Sequence, residues 1–406
     1  MGRLAGARRA SLPPVRSLQG KVVAFSGNAT AGAGGQGEFL RQMIAALASL
    51  PVRGRVLSRG ASAPQVECRD VPFQGWPQLA ARLLGRLPRV RGRRDWLTLL
   101  SDLQFDAGAA ERVGAVDLLD GVIGQCRTTF ARLRPSARLV LTCLNTHLEH
   151  LARVLQEEHG RLGIRQPPFL HPRMLRRARE ELELADRIRV NSQLARGTFV
   201  ERGVPAERVE VVQPVLDHAH FRPVPGGEDR FRVLAVSTIE PRKGIHYLLE
   251  GFAQAAIPGA ELVLIGATGD RWSRRLIDDY RGRIPLRVVA LDVTRAPIAD
   301  SYGAASVLVH PAIEDGYGLV VAQALACGRP VIASSDTGAA ELIRDGEQGF
   351  VVPSRSASAI RDRLRLLAAD QQLAARMRAA APVAVAHLTQ EAFNQAVGGL
   401  YERALG

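Results

Sequence analysis

Short apolar runs alternate with longer amphipathic stretches along most of the chain. Residues 21–26 predict a first strand, and residues 36–49 predict a helix because their apolar positions recur at helical spacing. The stripe on this helix consists of Phe39, Leu40, Met43, Ile44 and Leu47. The same pattern predicts further strands at 54–58, 116–119, 138–143, 187–191 and 208–212, with helices at 172–185 and 193–202.

Residues 213–229 interrupt the alternation with three prolines and two glycines, which is typical of an interdomain linker. A second alternating unit follows, with strands predicted at 231–236, 261–265, 286–290, 306–310, 330–333 and 349–352. The pattern therefore predicts an α/β protein of two Rossmann-like domains that face each other across a cleft. The predicted parts are a first domain at 20–214, a linker at 215–229, a second domain at 230–388, and a helix at 389–406 that is a candidate to pack back on the first domain.

Charge is distributed unevenly along the 406 residues. Residues 1–94 contain sixteen Lys and Arg but three acids, so they carry almost all of the formal net charge of +14. Residues 1–19 contain four arginines and no apolar core of a signal peptide, which predicts a disordered basic tail. Four scattered cysteines and the lack of a long apolar run favour a cytoplasmic protein.

A basic amphipathic pattern at 78–87 is a candidate for docking on an anionic membrane, at the inner face of the plasma membrane. The alternative is that its leucines face the domain core and its arginines face water. The chain contains no nucleic-acid-binding motif, so basicity alone supports a nucleic-acid partner and none is expected.

A glycine-rich loop follows the first strand. Its Gly32-x-Gly34-x-x-Gly37 spacing is that of dinucleotide-binding turns, but no acid follows the second strand to bind a ribose. Arg59 stands there instead and leaves NADP open. The long Gly/Ala loop also suits close approach of the backbone to a bulky anion or a sugar.

Two stretches of the second domain are more specific. Val236-Ser-Thr-Ile-Glu-Pro-Arg-Lys-Gly244 is a strand-to-helix corner that carries Arg242 and Lys243. In the second stretch, Glu314 and Asp315 precede a Gly-Tyr-Gly turn at the start of a predicted helix, 318–327. Cations and helix N-termini both attract phosphate.

These stretches, with Ala326-Cys-Gly-Arg-Pro-Val-Ile-Ala333 and Gly338-Ala-Ala-Glu-Leu-Ile-Arg-Asp-Gly346, resemble the family-4 retaining glycosyltransferases. The resemblance is strong over 231–352 and looser before about residue 180. It implies the GT-B fold and a nucleotide-sugar donor, with no metal and no cofactor required.

The resemblance also implies roles for individual residues. Arg242 and Lys243 would bind the donor diphosphate, His147 would lie near the reacting sugar, and Asp315, or Glu314 in its place, would contact sugar hydroxyls. Gln323 stands where the family has a second acid near the ribose, and Glu341 matches a downstream acid. The remaining donor-binding positions would act through backbone or close approach: Gly34, Gly35, Gly316, Tyr317, Gly318 and Leu319.

The expected function is transfer of a sugar, with retention, to a glycan or lipid-linked acceptor in cell-surface polysaccharide assembly. Two alternatives remain open: a sugar-nucleotide epimerase on the same fold, and a catalytically impaired binding subunit, suggested by the amide at position 323.

Overall fold

The computed structural model describes residues 16–72, 94–164, 170–224, 230–268, 271–290 and 298–406. Within them the strands form two separate parallel sheets, of seven and six strands. The strand and helix segments predicted from the hydrophobic pattern lie in these two sheets and their covering layers, so the α/β class is confirmed.

The first sheet contains β1 (Val22–Ser26), β2 (Arg53–Ser58), β3 (Glu67–Asp70), β4 (Leu118–Val122), β5 (Arg138–Cys143), β6 (Arg187–Val190) and β7 (Val209–Val211). Its order is β3-β2-β1-β4-β5-β6-β7. The helices of this domain are α1 (Gly34–Ser49), α2 (Arg94–Arg112), α3 (Arg127–Leu133), α4 (Leu148–Arg161), α5 (Pro172–Leu184) and α6 (Gln193–Val200).

The second sheet contains β8 (Arg232–Val236), β9 (Glu261–Ile265), β10 (Leu286–Val289), β11 (Val307–His310), β12 (Val331–Ser334) and β13 (Gly349–Val352). Its order is β10-β9-β8-β11-β12-β13. The associated helices are α7 (Ile245–Ala255), α8 (Arg271–Tyr280), α9 (Ile298–Gly303), α10 (Leu319–Ala326), α11 (Ala357–Ala369) and α12 (Gln371–Val385).

Each sheet is buried on both faces. Two apolar clusters cover the first sheet and two cover the second. Parallel strands covered on both sides read as nearly continuous apolar runs, as at residues 307–309 of β11, which are all buried. This explains why the apolar runs were readable from the sequence.

The last helix, α13 (Gln390–Leu405), returns to the first domain. Phe393, Val397, Leu400 and Tyr401 are buried in the same cluster as the apolar stripe of α1. The segment that precedes α13 also contacts the chain near residue 216, where the N–H of Leu216 donates to the carbonyl of Leu388 at 3.0 Å.

The predicted N-terminal tail is wrong at its end. Residues 16–18 form a 3-10 turn, and Leu18 is fully buried in the α1–α13 cluster because its side chain packs against that helix pair. Residues 1–15, and the basic amphipathic stretch 78–87, lie outside the described residues.

The strand predicted at 116–119 was also misplaced. Strand β4 runs from Leu118 to Val122 and contains Asp120, a fully buried carboxylate. The Asp120 carboxylate accepts hydrogen bonds from Thr142 and Tyr401. A buried acid interrupts the apolar run in the sequence, and its partners come from distant elements.

Candidate active site

The turn after strand β8 carries two adjacent cations. Arg242 and Lys243 lie in the 3-10 turn Pro241–Lys243. Gly244 follows with φ of 64°, a left-handed conformation that glycine adopts without strain. A Cβ at this position would overlap the carbonyl oxygen of Pro311. Glycine therefore lets the cationic turn lie directly against the end of strand β11.

A second turn connects strand β11 to helix α10. The chain passes from His310 through Glu314 and Asp315 to Gly318, the residue before the helix, which has φ of 83°. In the described part of the chain, the backbone N–H groups of residues 316–319 donate to no carbonyl or side-chain oxygen. Because N–H groups at a helix start carry positive partial charge, this turn offers unpaired donors to an anion.

Two ion pairs join the turns. Arg242 Nη1 lies 3.1 Å from Glu314 Oε2, and Lys243 Nζ lies 2.6 Å from Asp315 Oδ2. The N–H of Ile313 also donates to the carbonyl of Arg242 at 2.9 Å. Lys243 has three N–H donors and Asp315 takes one, so donor capacity for a phosphate remains beside the free backbone N–H groups.

The charges at these turns nearly cancel. Glu240 also pairs with Arg242 at 3.3 Å, so three carboxylates surround the two cations. An incoming diphosphate would therefore meet directed N–H groups, not a region of net positive charge. The ion pairs hold those groups in place before a ligand arrives, which reduces the entropy lost on binding.

Burial and neighbouring charge set the protonation of the turn. Burial raises the pKa of Asp315, but Lys243 and the hydrogen bond with His310 hold that pKa well below its ordinary value. Burial lowers the pKa of His310 in spite of Asp315. His310 is therefore neutral near pH 7, and its Nε2–H donates to Asp315 Oδ2 at 2.9 Å.

The second turn also contacts the first domain. Thr146 Oγ1 donates to Glu314 Oε1 at 2.7 Å, and Ser192 Oγ donates to the carbonyl of Gly316 at 2.7 Å. A Cβ on Gly316 would lie 2.5 Å from the Cα of Asn145. The carboxyl ends of β5 and β6 thus meet the carboxyl end of β11 across the cleft.

His147 lies at the cleft end of helix α4, where its ring caps the helix. Nδ1 accepts the N–H of Glu149 at 3.2 Å, and the ring packs edge-on against Phe199. Burial, with Arg202 nearby, lowers the pKa of His147 to about 4, although Glu149 opposes the shift. The ring is neutral near pH 7, so Nε2 carries the proton and can donate a hydrogen bond.

The two candidate glycines of the glycine-rich loop lie on its exposed side. Gly34 and Gly35 are exposed at the start of α1 and have open space where a Cβ would be. Arg59, the candidate for a 2′-phosphate, instead donates to Asn28, Val71, Ser101 and Gln104. Its guanidinium is used to tie the loop to α2, which disfavours an NADP role.

Two further candidate residues, Gln323 and Glu341, have defined hydrogen-bond partners, and the hydroxyl of a third, Tyr317, has none among the described residues. Gln323 Oε1 accepts the hydroxyl of Tyr302 at 2.8 Å. Tyr317 is buried in the core, and its hydroxyl has no partner among the described residues. Glu341 accepts from the N–H of Gln193 and the amide of Gln213, both at 3.0 Å. Glu341 thus joins the domains beside a cavity of about 510 Å³ instead of joining the ion pairs around Asp315.

Thr146, Ser192 and His310 lie at this site but were not assigned to it from the sequence. The available signal was positional, because each lies at or just beyond the carboxyl end of a strand.

Among the described residues, no His, Cys, Asp or Glu cluster of three or more is placed to hold a metal ion. No described helix is long and apolar enough to span a bilayer.

A family model matches the second domain. Residues 218–383 match the model described as glycosyl transferases group 1. This range contains both the cationic turn and the acid–glycine turn, so the two motifs that carried the resemblance lie inside the matched region.

Curated relatives match part of the chain. A D-inositol 3-phosphate glycosyltransferase of Streptomyces bingchenggensis is 30% identical over 215 residues, which cover 48% of this chain and 47% of the relative. One of Segniliparus rotundus is 30% identical over 236 residues, 53% of this chain and 51% of the relative. The chain thus spans about half the length of these curated relatives.

Solved structures match nearly the whole chain. Sucrose-phosphate synthase from Thermosynechococcus elongatus superposes with a TM-score of 0.71 at 23% identity, covering 94% of this chain and 98% of that one. Anabaena HepE, in complex with UDP and glucose, superposes with a TM-score of 0.65 at 18% identity, covering 94% and 100%. The second domain therefore matches the group 1 glycosyl transferase model, and the two domains together have the GT-B fold, as the resemblance to family-4 retaining glycosyltransferases predicted.

Proposed function

We propose that the protein transfers a sugar from a nucleotide-diphosphate sugar to a glycan or lipid-linked acceptor, with retention at the anomeric carbon. The observation that carries the proposal is the joining of the two phosphate-attracting turns. Lys243 lies 2.6 Å from Asp315, and Arg242 lies 3.1 Å from Glu314, beside the unpaired N–H groups that precede helix α10. Two cations and a helix start can therefore act on one diphosphate.

The chemistry breaks the bond between the anomeric carbon and a diphosphate oxygen. Negative charge develops on the departing diphosphate, where Arg242, Lys243 and the N–H groups of residues 316–319 would stabilise it. Preorganised donors of this kind contribute several kcal/mol, on the order of 3 for one donor. The acceptor oxygen bonds to the anomeric carbon on the same face, and its proton goes to the departing phosphate oxygen.

Neutral His147 suits a hydrogen-bond donor to the sugar better than a general base. Its Nδ1 lone pair already accepts the N–H of Glu149, and a ring with a pKa of about 4 is a weak base near pH 7. The roles of Asp315 and Glu314 as sugar contacts, and of Gly34 and Gly35 as close neighbours of the donor, remain part of the same proposal.

The acceptor is inferred from the charge distribution of the chain. The basic N-terminal quarter favours an anionic acceptor or membrane surface, which supports lipid-linked glycan assembly at the cytoplasmic face of the plasma membrane. The names of the curated relatives instead suggest a phosphorylated polyol. Both acceptors are anionic, so transfer to a lipid-linked glycan and transfer to inositol phosphate should be assayed side by side.

A thermal-shift screen of UDP-, GDP- and ADP-sugars tests donor binding, because a ligand stabilises the folded state by mass action. We expect one nucleotide series to raise the melting temperature; the HepE complex makes UDP-sugars the first to try.

Replacing Arg242 and Lys243 together with Ala should weaken binding of that donor by at least about 100-fold, since charge-assisted hydrogen bonds contribute about 1.5–3 kcal/mol each.

The matched control replaces Arg274 and Arg275, two exposed arginines of helix α8, with Ala. Unchanged donor affinity in the Arg242/Lys243 variant would show that these residues do not bind the donor and would contradict the proposed site. Binding without transfer to any acceptor would favour the impaired subunit, and conversion of the free nucleotide sugar without an acceptor would favour the epimerase.

A further inference from the structure

A buried carboxylate lies between the domains, away from the two turns of the proposed site. Glu158, near the C-terminal end of helix α4 in the first domain, is fully buried. Its three hydrogen-bond partners all belong to the second domain. They are His246 Nε2 at 2.9 Å, the Tyr247 hydroxyl at 2.9 Å and Arg355 Nε at 2.7 Å.

The Glu158 carboxylate depends on these partners. Burial raises its pKa, but hydrogen bonds from His246, Arg355 and Tyr247 outweigh burial and bring the pKa to about 2. Burial and Glu158 together raise the pKa of Tyr247 to about 12, so the hydroxyl keeps its proton and donates. A dry carboxylate that lost these partners would be costly, so the contact favours one docked arrangement of the domains.

Arg355 reaches Glu158 from a strained backbone. Its φ is 61°, and it is one of two non-glycine residues with positive φ in the described chain. A side chain in this region persists when surrounding contacts hold it. His246 is held as well, because its ring centroid lies 4.1 Å from that of the tilted Tyr247 ring and 5.6 Å from that of the edge-on Trp272 ring.

The contact connects the two halves of the proposed site. Helix α4 begins directly after His147, and Glu158 lies eleven residues further along the same helix. On the other side, His246 and Tyr247 lie in the first turn of helix α7, two and three residues after the Gly244 that ends the cationic turn. Helix α4 also packs against the Pro241–Lys243 turn itself.

We propose that Glu158 is a positioning residue: its contact with His246, Tyr247 and Arg355 sets the domain closure at which His147 and the Arg242–Lys243 turn face the same donor sugar. The inference rests on the proposed function. Glu158 is not a catalytic residue, because it acts through the helix that carries His147 and the turn that carries the cations.

Two variants test the contact with different risks. Arg355→Gly removes the guanidinium and relieves the left-handed strain, so each domain should still fold. The cost of the lost ion pair is relieved when the domains open and water reaches Glu158. Glu158→Gln keeps the shape of the side chain and removes its charge. The control is Glu180→Gln, which removes a carboxylate whose partner, Arg127, lies in the same domain.

Small-angle X-ray scattering of the ligand-free full-length chain reports closure directly. We expect a larger radius of gyration for Arg355→Gly and Glu158→Gln than for the wild type and Glu180→Gln. Most of the proposed UDP contacts, those of Arg242, Lys243 and residues 316–319, lie in the second domain, so the dissociation constant for UDP should stay within about threefold. The rate constant kcat for transfer, or for donor hydrolysis, should fall roughly 10- to 100-fold, as misplacement of reacting groups does.

Wild-type dimensions and wild-type kcat in both variants would overturn the inference. Equal losses of UDP affinity and kcat would also overturn it, because they indicate general damage to the second domain. If the wild type itself bound no nucleotide, the proposed function would fail, whereas the scattering comparison would still decide whether Glu158 sets closure.

Discussion

At the residue scale, His147 combines two tasks that can be separated. Nδ1 caps helix α4 and Nε2–H is left for a ligand. Asn also caps helices well, so His147→Asn should keep stability within about 0.5 kcal/mol but lower kcat, whereas His147→Ala should lower both, with about 1 kcal/mol lost from the cap. Urea unfolding and transfer assays on the two variants distinguish the tasks.

The protonation of His147 gives the same prediction a pH readout. With a pKa of about 4, the ring is neutral from pH 6 to 8, so it should add no limb to the kcat profile in that range. A His147 imidazole that titrated near pH 6.5 by NMR would contradict the neutral-donor role.

Gln323 is the second residue whose chemistry can be tested alone. Its carbonyl oxygen lies 2.8 Å from the hydroxyl of the fully buried Tyr302. Gln323→Glu keeps that acceptor and adds the charge that the family resemblance expects at the ribose. Charged acceptors bind hydroxyls about twice as strongly as neutral ones, so UDP affinity should rise by roughly tenfold.

Isothermal titration calorimetry with UDP measures the change. Gln371→Glu, at an exposed helix start, is the control for added negative charge. Weaker or equal UDP binding by Gln323→Glu would show that the ribose does not contact residue 323. The amide at this position would then give no support for an impaired binding subunit.

At the element scale, helix α13 is a structural part of the first domain although it follows the second in sequence. The Tyr401 hydroxyl donates to Asp120 at 2.9 Å inside the first core. Tyr401→Phe leaves this buried carboxylate one donor short, at a cost of about 1–3 kcal/mol. We expect the first-domain unfolding transition in calorimetry to shift downward.

The second-domain transition should stay unchanged in Tyr401→Phe. Tyr280→Phe, on helix α8, is the matched control because the Tyr280 ring packs against an apolar cluster of the second domain and beside Arg283. A lowered second transition and an unchanged first one would show that α13 does not stabilise the first domain.

At the scale of the whole molecule, Gly316 limits how closely the domains approach. A Cβ there would lie 2.5 Å from the Cα of Asn145, closer than backbone and Cβ can pack. Gly316→Ala should therefore hold the domains apart, raise the donor KM and lower kcat by about 10-fold or more.

Gly197→Ala is the control, because a Cβ on this α6 glycine would meet open space. Scattering and kinetics on both variants decide the matter: equal closure and equal rates in Gly316→Ala would mean that the close approach to Asn145 has no part in the reaction.

The hydrophobic pattern alone was enough to predict the two α/β units, the break between them and the turns that carry the candidate ligand-binding residues. These are local properties. Strands covered on both faces are largely apolar, as at Val307–Val309. The turns that follow strands β8 and β11 carry Arg242, Lys243, Glu314 and Asp315. Carboxyl ends of parallel strands share one edge of a sheet, so the two turns could be expected to meet.

The charge pairs and the contacts between the domains could not be predicted from the pattern. The pairing of Lys243 with Asp315, the place of Glu341 beside Gln193 and the burial of Glu158 each depend on how distant elements dock. The strand predicted at 116–119 and the end of the tail predicted at 1–19 were wrong for the same reason, since the burial of Asp120 and of Leu18 depends on partners far along the chain. The hydrophobic pattern reflects local periodicity, whereas the contribution of a buried charge to stability depends on the atoms packed around it.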